Sequence, residues 1–183
     1  MAALLTDEDL SAALAGDPSG FSAVYRALSP AVLGYFRARG ADDPEALTQD
    51  VFVDVLPKLC GVSGGEKGLR TFIFSVAHAR LVDYRRREAR TPILGEYDPL
   101  DDGRRSASAE EHLIDSLGGG ITELLQLLND EQREVLVLRI VADLSIEQVA
   151  GIMDKSTGAV KQLQRRALVA LRELVTEKDY TAS

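Results

Sequence analysis

The chain has 183 residues, of which 45% are hydrophobic and 27% charged, the composition of an ordinary folded protein. Its formal net charge of −8 argues, taken alone, against a nucleic-acid-binding protein. No run reaches the roughly 18 apolar residues of a membrane helix, so we expect no membrane insertion, and the first residues lack the features of a secretory signal. A single cysteine, Cys60, excludes an internal disulfide, and with two histidines it leaves no metal site or cofactor to expect; a reducing cytoplasm is the simplest location.

The charge is unevenly distributed along the chain. Residues 69–90 hold six basic and two acidic side chains, and residues 157–172 hold four basic and no acidic ones. Residues 91–130 hold two basic and nine acidic side chains. Because local charge decides where a phosphate backbone can dock, the two cationic segments are candidates for contact with DNA.

The N-terminal part begins with two predicted helices. Thr6 and Asp9 resemble a capping box that opens a short helix, and Gly16-Asp17-Pro18 ends it. Apolar residues at helical spacing then predict a long helix over residues 21–40, with Pro30 kinking it.

Two more helices follow. Asp43-Pro44 is a capping residue with proline at the first helical position, and the apolar stripe that follows runs to Leu59, with Pro57 distorting its end. Residues 60–68, CGVSGGEKG, are predicted to be a flexible glycine-rich loop. A long helix is expected over residues 69–90.

Residues 91–120 are acidic, weakly periodic and punctuated by proline and glycine, which predicts a linker with a short helix near 109–117. Beyond it, Asn129, Ser145 and Ser156 are each positioned to cap a helix, and no strand pattern competes. The predicted fold is all-α, with two small helical domains joined by an acidic flexible linker. The predicted segments are an N-terminal domain at 1–90, a linker at 91–120, a C-terminal domain at 121–178 and a tail at 179–183.

The strongest functional signal lies in residues 145–174, whose two capped helices and short turn have the spacing of a helix–turn–helix. In the second helix apolar residues share one face, and a recognition helix would turn the other face to the major groove. The candidate contact residues are Ser156, Thr157, Lys161, Gln162, Arg165 and Arg166. The alternative interpretation is a solvated helix in a small bundle.

A second candidate is the arginine cluster at 85–90, with the aromatic residues Phe72, Phe74 and Tyr84 upstream of it. Basic and aromatic side chains on one helix suit DNA whose bases are unstacked. Favourable charges at a helix end, with the aromatic rings in the core, explain the same pattern. The acidic helix at 42–59 is likewise either a protein-docking face or a solvated surface.

Enzyme chemistry has little support, because none of the familiar catalytic patterns is present. His78 is expected to be packed or half-exposed in a helix, and Cys60 is expected to be incidental rather than a redox sensor.

Three segments resemble blocks of the bacterial RNA polymerase sigma factors of the extracytoplasmic-function (ECF) group. Residues 43–52, DPEALTQDVF, are similar to the helix that binds core polymerase, and residues 69–87 are similar to the segment that melts the promoter and recognises the −10 element. Residues 134–161 are similar to the domain that binds the −35 element. The blocks stand in the family's order, and the resemblance covers about residues 20–178.

The resemblance implies a dissociable subunit of RNA polymerase that docks on the β′ clamp, recognises promoter DNA and promotes its opening without catalysis. It also implies a separate anti-sigma protein as a partner. The residues implied in polymerase binding are Leu47, Gln49, Asp50 and Phe52. Those implied in −10 recognition and melting are Arg70, Phe72, Ser75, Arg80, Tyr84, Arg85, Arg86 and Arg87.

Departures from the family pattern concern both DNA-binding segments. His78-Ala79 stands where the family often has Arg-Asn, and there is no tryptophan near Phe72. Asp154-Lys155 replaces the usual glycine and aliphatic residue of the recognition turn. Two alternatives stay open on the sequence: a helix–turn–helix regulator that binds an operator as a dimer, and a helical interaction protein that binds no DNA.

Overall fold

The computed structural model describes residues 5–90 and 124–181, with side chains described as far as residue 175. The N-terminal helices are α1 (Asp7–Leu14), α2 (Pro18–Ala38), α3 (Pro44–Val55) and α4 (Gly65–Arg90), with a 3-10 helix at Leu56–Gly61. The C-terminal helices are α5 (Asp130–Ile140), α6 (Ile146–Met153) and α7 (Thr157–Thr181). Over these ranges the regular elements are all helices, as predicted, and none is long and apolar enough to cross a membrane. The predicted linker at 91–120 and its short helix lie outside the described residues.

Side-chain caps start the helices where the sequence predicts them. The Asp9 amide donates to Thr6 Oγ1 at 3.1 Å, and the Gln132 amide donates to Asn129 Oδ1 at 2.9 Å. In both pairs the second side chain also accepts a hydrogen bond from the backbone of the first, which completes a capping box. Each box satisfies backbone N–H groups that a helix start otherwise leaves unpaired.

Two predicted boundaries are wrong. The second helix, α2, begins at Pro18 rather than at residue 21, because the Asp17 carboxylate caps it and accepts from the Ser19 amide at 2.7 Å. The glycine-rich loop is also shorter than residues 60–68, since the 3-10 helix continues to Gly61 and α4 begins at Gly65. Gly64 and Gly65 take positive φ values of 88° and 64°, which glycine adopts at little cost, and so turn the chain into α4 early.

One apolar core extends through both groups of helices. In the N-terminal part Tyr35 is fully buried between Phe36 and Phe74, with its ring centroid 5.9 Å from that of Phe74 in an edge-to-face arrangement. In the C-terminal part Leu138 and Val160 are fully buried. The α-helical periodicity of the sequence therefore marks the helix faces that meet in this core.

The two groups of helices contact each other through a buried carboxylate. Glu134 of α5 is 3% exposed, and its Oε1 accepts from the Tyr35 hydroxyl at 2.7 Å and lies 2.9 Å from His78 Nδ1. Its Oε2 lies 2.7 Å from Nε of the buried Arg39. Tyr35 and Arg39 belong to α2 and His78 to α4, so one C-terminal side chain joins two N-terminal helices.

The surroundings of Glu134 keep its carboxylate charged. Burial opposes ionisation, but the hydrogen bond with His78 and the positive charge of Arg39 outweigh it, so the pKa of Glu134 lies below its ordinary value. Burial, and then the neighbouring carboxylate of Glu134, raise the pKa of the Tyr35 hydroxyl well above its ordinary value. Tyr35 therefore serves as a neutral hydrogen-bond donor.

Replacement of Gly20 by alanine is expected to destabilise the protein. A Cβ at Gly20 would lie 2.2 Å from the Ala13 backbone nitrogen, so α1 and α2 would have to separate. Such overpacking costs about 1–3 kcal/mol. Gly151→Ala is the control, since Gly151 lies within α6 with open space around it, and alanine there should stabilise by up to about 1 kcal/mol. Urea unfolding of both variants measures the difference, and equal effects would contradict the close packing of α1 on α2.

Glu134→Gln should lose stability relative to the wild type in a pH-dependent way. Because the folded protein lowers the pKa of Glu134, the stability from its charge is present above the unfolded value, about 4.5, and is lost as pH falls through the folded value. The difference in free energy of unfolding should stay constant from pH 7 to about 5 and shrink below that. Urea titrations from pH 7 to 3 measure it, and a difference that persists unchanged at pH 3 would contradict the assigned environment.

Candidate nucleic-acid interface

A tight turn between α6 and α7 builds the helix–turn–helix. Asp154 adopts a left-handed conformation, with φ 51° and ψ 48°, and the Lys155 amide donates back to the Ala150 carbonyl at 3.0 Å. Aspartate is among the few residues other than glycine that take this conformation readily. Ser156 then caps α7, since its Oγ accepts from the Ala159 amide at 3.2 Å. Asp154-Lys155 therefore forms the turn despite its departure from the family pattern.

The beginning of α7 divides into a buried and an exposed face. Val160 and Ala167 are fully buried against the rest of the C-terminal domain. The side chains predicted to contact the −35 element all lie exposed on the other side: Ser156, Thr157, Lys161, Gln162, Arg165 and Arg166. Cationic and amide side chains in this arrangement are suited to phosphates and to base edges in the major groove, which is wide enough to admit an α-helix.

Further along α7 the exposed surface becomes apolar, which the sequence analysis did not predict. Leu168 and Val169 are both exposed and lie between Arg165 and Arg172. The sequence does predict their exposure, because these two apolar residues fall outside the stripe that carries Ala167 and Leu171.

Three of the predicted −10 cations on α4 are engaged within the protein. Arg80 pairs with Asp54 of α3, with Nε 2.8 Å from Oδ2, and Arg85 donates from Nη2 to the Arg39 carbonyl at 3.0 Å. Arg70 donates from Nη1 to the carbonyl of Ala142 in the C-terminal domain at 3.2 Å. The other two predicted cations, Arg86 and Arg87, are exposed near the end of the helix, and Arg86 lies 3.9 Å from Asp83.

The aromatic side chains of α4 lie mainly in the core, which is the second of the two readings that the sequence left open. Phe74 is fully buried, so it belongs to the core and offers no surface on which a base could stack. Phe72 is half-buried and packs against the core. The Tyr84 hydroxyl lies 2.7 Å from Glu88 Oε1, and burial, followed by this hydrogen bond, raises its pKa. Ser75 uses its hydroxyl locally, donating to the Thr71 carbonyl at 2.7 Å.

The predicted polymerase-binding residues of α3 fall into two sets. Gln49 and Asp50 are exposed and Leu47 is half-buried. Phe52 is 2% exposed and packs edge-to-face on Tyr25, with ring centroids 4.8 Å apart, which corrects its predicted direct contact with a partner.

The sequence analysis missed two apolar residues beside them. Val53 of α3 is 71% exposed, and Tyr25 of α2 is 41% exposed. Val53 was detectable as an apolar residue off the buried stripe of its helix, whereas the exposure of Tyr25 depends on how α3 packs against α2.

His78 is partly buried, in agreement with the prediction, and Cys60 is an exposed free thiol. Within the described ranges no group of three or more His, Cys, Asp or Glu side chains is arranged to hold a metal ion.

Comparisons with known proteins match both halves of the chain. Residues 124–173 match the family described as "Sigma-70, region 4". The chain is 30% identical to the ECF RNA polymerase sigma factor SigD of Mycobacterium tuberculosis H37Rv, over 95% of this chain and 86% of that protein. It is 29% identical to the ECF RNA polymerase sigma factor ShbA of Streptomyces griseus, over 90% and 92% of the two chains.

Solved structures share the fold. CnrH, in its complex with the cytosolic domain of CnrY, is similar with a TM-score of 0.65 and 21% identity, over 93% of this chain and 97% of that one. The sigma factor RpoE of Bartonella quintana, in its complex with the anti-sigma factor NepR, has a TM-score of 0.64 and 21% identity, over 85% and 96% of the two chains. An all-α fold with a C-terminal helix–turn–helix, and 30% identity along almost the whole length of a relative, show that the chain belongs to the ECF RNA polymerase sigma factors, which recognise promoters.

Proposed function

We propose that this sigma factor acts as a non-catalytic initiation subunit, with polymerase docking and −10 recognition in residues 1–90 and −35 recognition in residues 121–178. Residues 91–120 would join the two. The observation that carries the proposal is the exposed face of α7, where cations and polar groups lie together and residues 157–172 contain no acidic side chain.

In this proposal α7 lies in the major groove at the −35 element. Lys161, Arg165 and Arg166 supply positive charge toward phosphates or guanines, and Gln162 supplies an amide suited to adenine. The turn at Asp154 and the cap at Ser156 support this role, because they hold the first turn of α7 at a defined angle to α6.

The −10 element is proposed to bind along α4. Arg86 and Arg87 are exposed and offer positive charge to one DNA strand. Phe72, Ser75 and Tyr84 lie on the same helix. By analogy with the family, they would lie closer to the separated bases than Arg86 and Arg87 do. Cationic contacts to one strand, together with pockets for unstacked bases, stabilise melted DNA without a chemical step.

The polymerase clamp is proposed to bind the surface that α2 and α3 share. Gln49, Asp50, Val53 and Tyr25 are exposed there, and a mixed apolar and acidic patch of this kind is typical of a protein interface rather than of a DNA surface. Phe52 would act indirectly, by supporting the ring of Tyr25.

An anti-sigma protein is proposed as a further partner, since the fold neighbours CnrH and RpoE were solved with CnrY and with the anti-sigma factor NepR. The exposed Leu168 and Val169 on α7, with Arg165 beside them, suit an amphipathic acidic partner helix. We propose the cytoplasm as the location, since binding to polymerase and to promoter DNA would take place there.

Arg165→Ala and Lys161→Ala should each weaken promoter binding. Holoenzyme reconstituted from core polymerase and this chain first selects a duplex from a randomised pool, and anisotropy titrations then follow its binding over a salt series. A cation that contacts phosphate contributes about 0.9 to the slope of log K against log salt, so its loss should reduce that slope by about this amount. A residue that contacts a base should instead lose about 5- to 100-fold affinity for the selected sequence.

Lys58→Ala is the matched control for these titrations. Lys58 is an exposed cation in the 3-10 helix of the other domain, outside the proposed DNA contacts. Its removal should leave affinity and salt slope unchanged. Equal behaviour of Arg165→Ala and Lys58→Ala would rule out the proposed role of α7.

Asp50→Arg and Val53→Asp should weaken the complex with core polymerase about tenfold or more, because both side chains are exposed on the proposed docking surface. Size-exclusion chromatography and competition binding measure the complex. Glu8→Arg, an exposed charge reversal on α1, is the control and should bind as the wild type does. Phe52→Ala should instead lower stability by about 3–5 kcal/mol in urea unfolding. Wild-type affinity of Asp50→Arg and Val53→Asp would contradict this docking surface.

A further inference from the structure

The exposed side of α7 carries a shallow groove of about 380 Å³. Val169 and Ala170 stand at the middle of the residues that line it, and Arg166 and Glu173 lie about one helical turn to either side. From Gln162 through Arg166 and Val169 to Glu173 the steps are four, three and four residues. This alternation is the spacing of a helix face that packs against a second helix, so the groove has the pattern of one half of a helix pair.

Promoter reading accounts for only the first part of this exposed face. A recognition helix contacts base edges with its N-terminal residues, which in α7 are those before Ala167. Leu168 and Val169 follow and are exposed, and so is Val175, which lies two turns beyond Leu168 on the same side of the helix. Adjoining exposed apolar side chains are typical of a surface that binds protein, so the second part of α7 is suited to a protein partner.

The charge of α7 changes sign along its length, and this identifies the partner. Residues 157–172 include four basic and no acidic residues, whereas residues 173–181 of the same helix include three acidic residues and one basic residue. Two copies of α7 side by side in opposite directions would place the basic half of each against the acidic half of the other, with their helix dipoles opposed as well. A parallel pair would place like charges together. The helix is therefore complementary to an inverted copy of itself.

We propose that a second copy of this chain binds the groove on α7, in an antiparallel helix pair whose two-fold axis passes between Val169 and Ala170. Arg166 and Glu173 lie equally far from that axis in sequence, so each Arg166 faces Glu173 of the second copy, and this charge pair occurs twice in the dimer. The small side chain of Ala170 lets Val169 of the second copy approach closely, since the distance between packed helices depends on the side chains at their contact.

The dimer covers side chains that the proposed function assigns to the −35 element. Gln162, Arg165 and Arg166 line the groove, so a chain paired in this way cannot also lay α7 in the major groove. This consequence rests on the proposed function, whereas the dimer itself does not. A contact between two single helices is smaller than a standard interface, so the dimer is weak and dissociates on dilution. Because its charge pairs are exposed, salt weakens it further.

A charge exchange tests the dimer and its register. Sedimentation equilibrium of the full chain at low salt, from about 5 to about 200 µM, measures the dissociation constant of the dimer. Arg166→Glu and Glu173→Arg should each raise that constant about tenfold or more, because each places two pairs of like charges across the axis. The double variant Arg166→Glu/Glu173→Arg should return it to within about threefold of the wild type, since the pairs are then opposite again. Both positions are exposed, so we expect circular dichroism to show unchanged helix content.

Lys58→Glu and Glu8→Arg are the matched controls, because each reverses one exposed charge in the N-terminal domain, and both should dimerise as the wild type does. A wild type that stays monomeric at every concentration would overturn the proposal and leave the groove to DNA or to an anti-sigma helix. A double variant that dimerises as weakly as the single variants would overturn it as well. The samples contain neither DNA nor polymerase, so a monomeric wild type leaves the proposed function standing, and failure of the promoter titrations leaves the dimer standing.

A disulfide tests the position of the axis. In a Cys60→Ser background, Val169→Cys should form a disulfide between two chains on mild oxidation, because the axis brings the two cysteines close together. Val53→Cys is the control, since Val53 of α3 is more exposed than Val169 but lies away from the groove, and it should stay largely monomeric. Addition of Arg166→Glu to Val169→Cys should lower the yield of cross-linked dimer. Equal yields from Val169→Cys and Val53→Cys would overturn the proposed axis and with it the dimer.

Discussion

One buried carboxylate determines how the two domains of this protein meet. The side chain of Glu134 extends from α5 into the other domain, where Tyr35, Arg39 and His78 surround it. A charge so placed gains little net free energy over a well-packed apolar group, because its desolvation offsets its attraction to Arg39. It does penalise any other docking of the domains strongly, since an alternative would bury Glu134 or Arg39 unpaired. The contact is therefore better suited to specifying one reversible arrangement than to holding it tightly.

Acidic and basic side chains are also distributed unevenly over the chain. The chain is acidic overall, and the cations proposed to contact DNA lie on α4 and on the exposed face of α7. On α4 the cations Arg70, Arg80 and Arg85 have partners within the protein, and Arg86 lies 3.9 Å from Asp83 of the same helix. Non-specific affinity for DNA rises with the number of phosphates neutralised, so we expect both the acidic surroundings and this internal pairing to lower it. A subunit that must find polymerase before promoter DNA benefits from this restraint.

The sequence predicted those features of the fold that depend on neighbouring residues. Capping boxes at Thr6 and Asn129 and the apolar stripes of the helices are local patterns, and the structure follows them. The early start of α4 at Gly65 escaped prediction because glycine-rich segments fit a helix start and a loop equally well. Phe52 was expected to contact a partner, yet it is 2% exposed, because the packing of other helices decides which apolar residue of a stripe reaches solvent. The residues around Glu134 come from two helices far apart in sequence, and no local pattern predicts such a site.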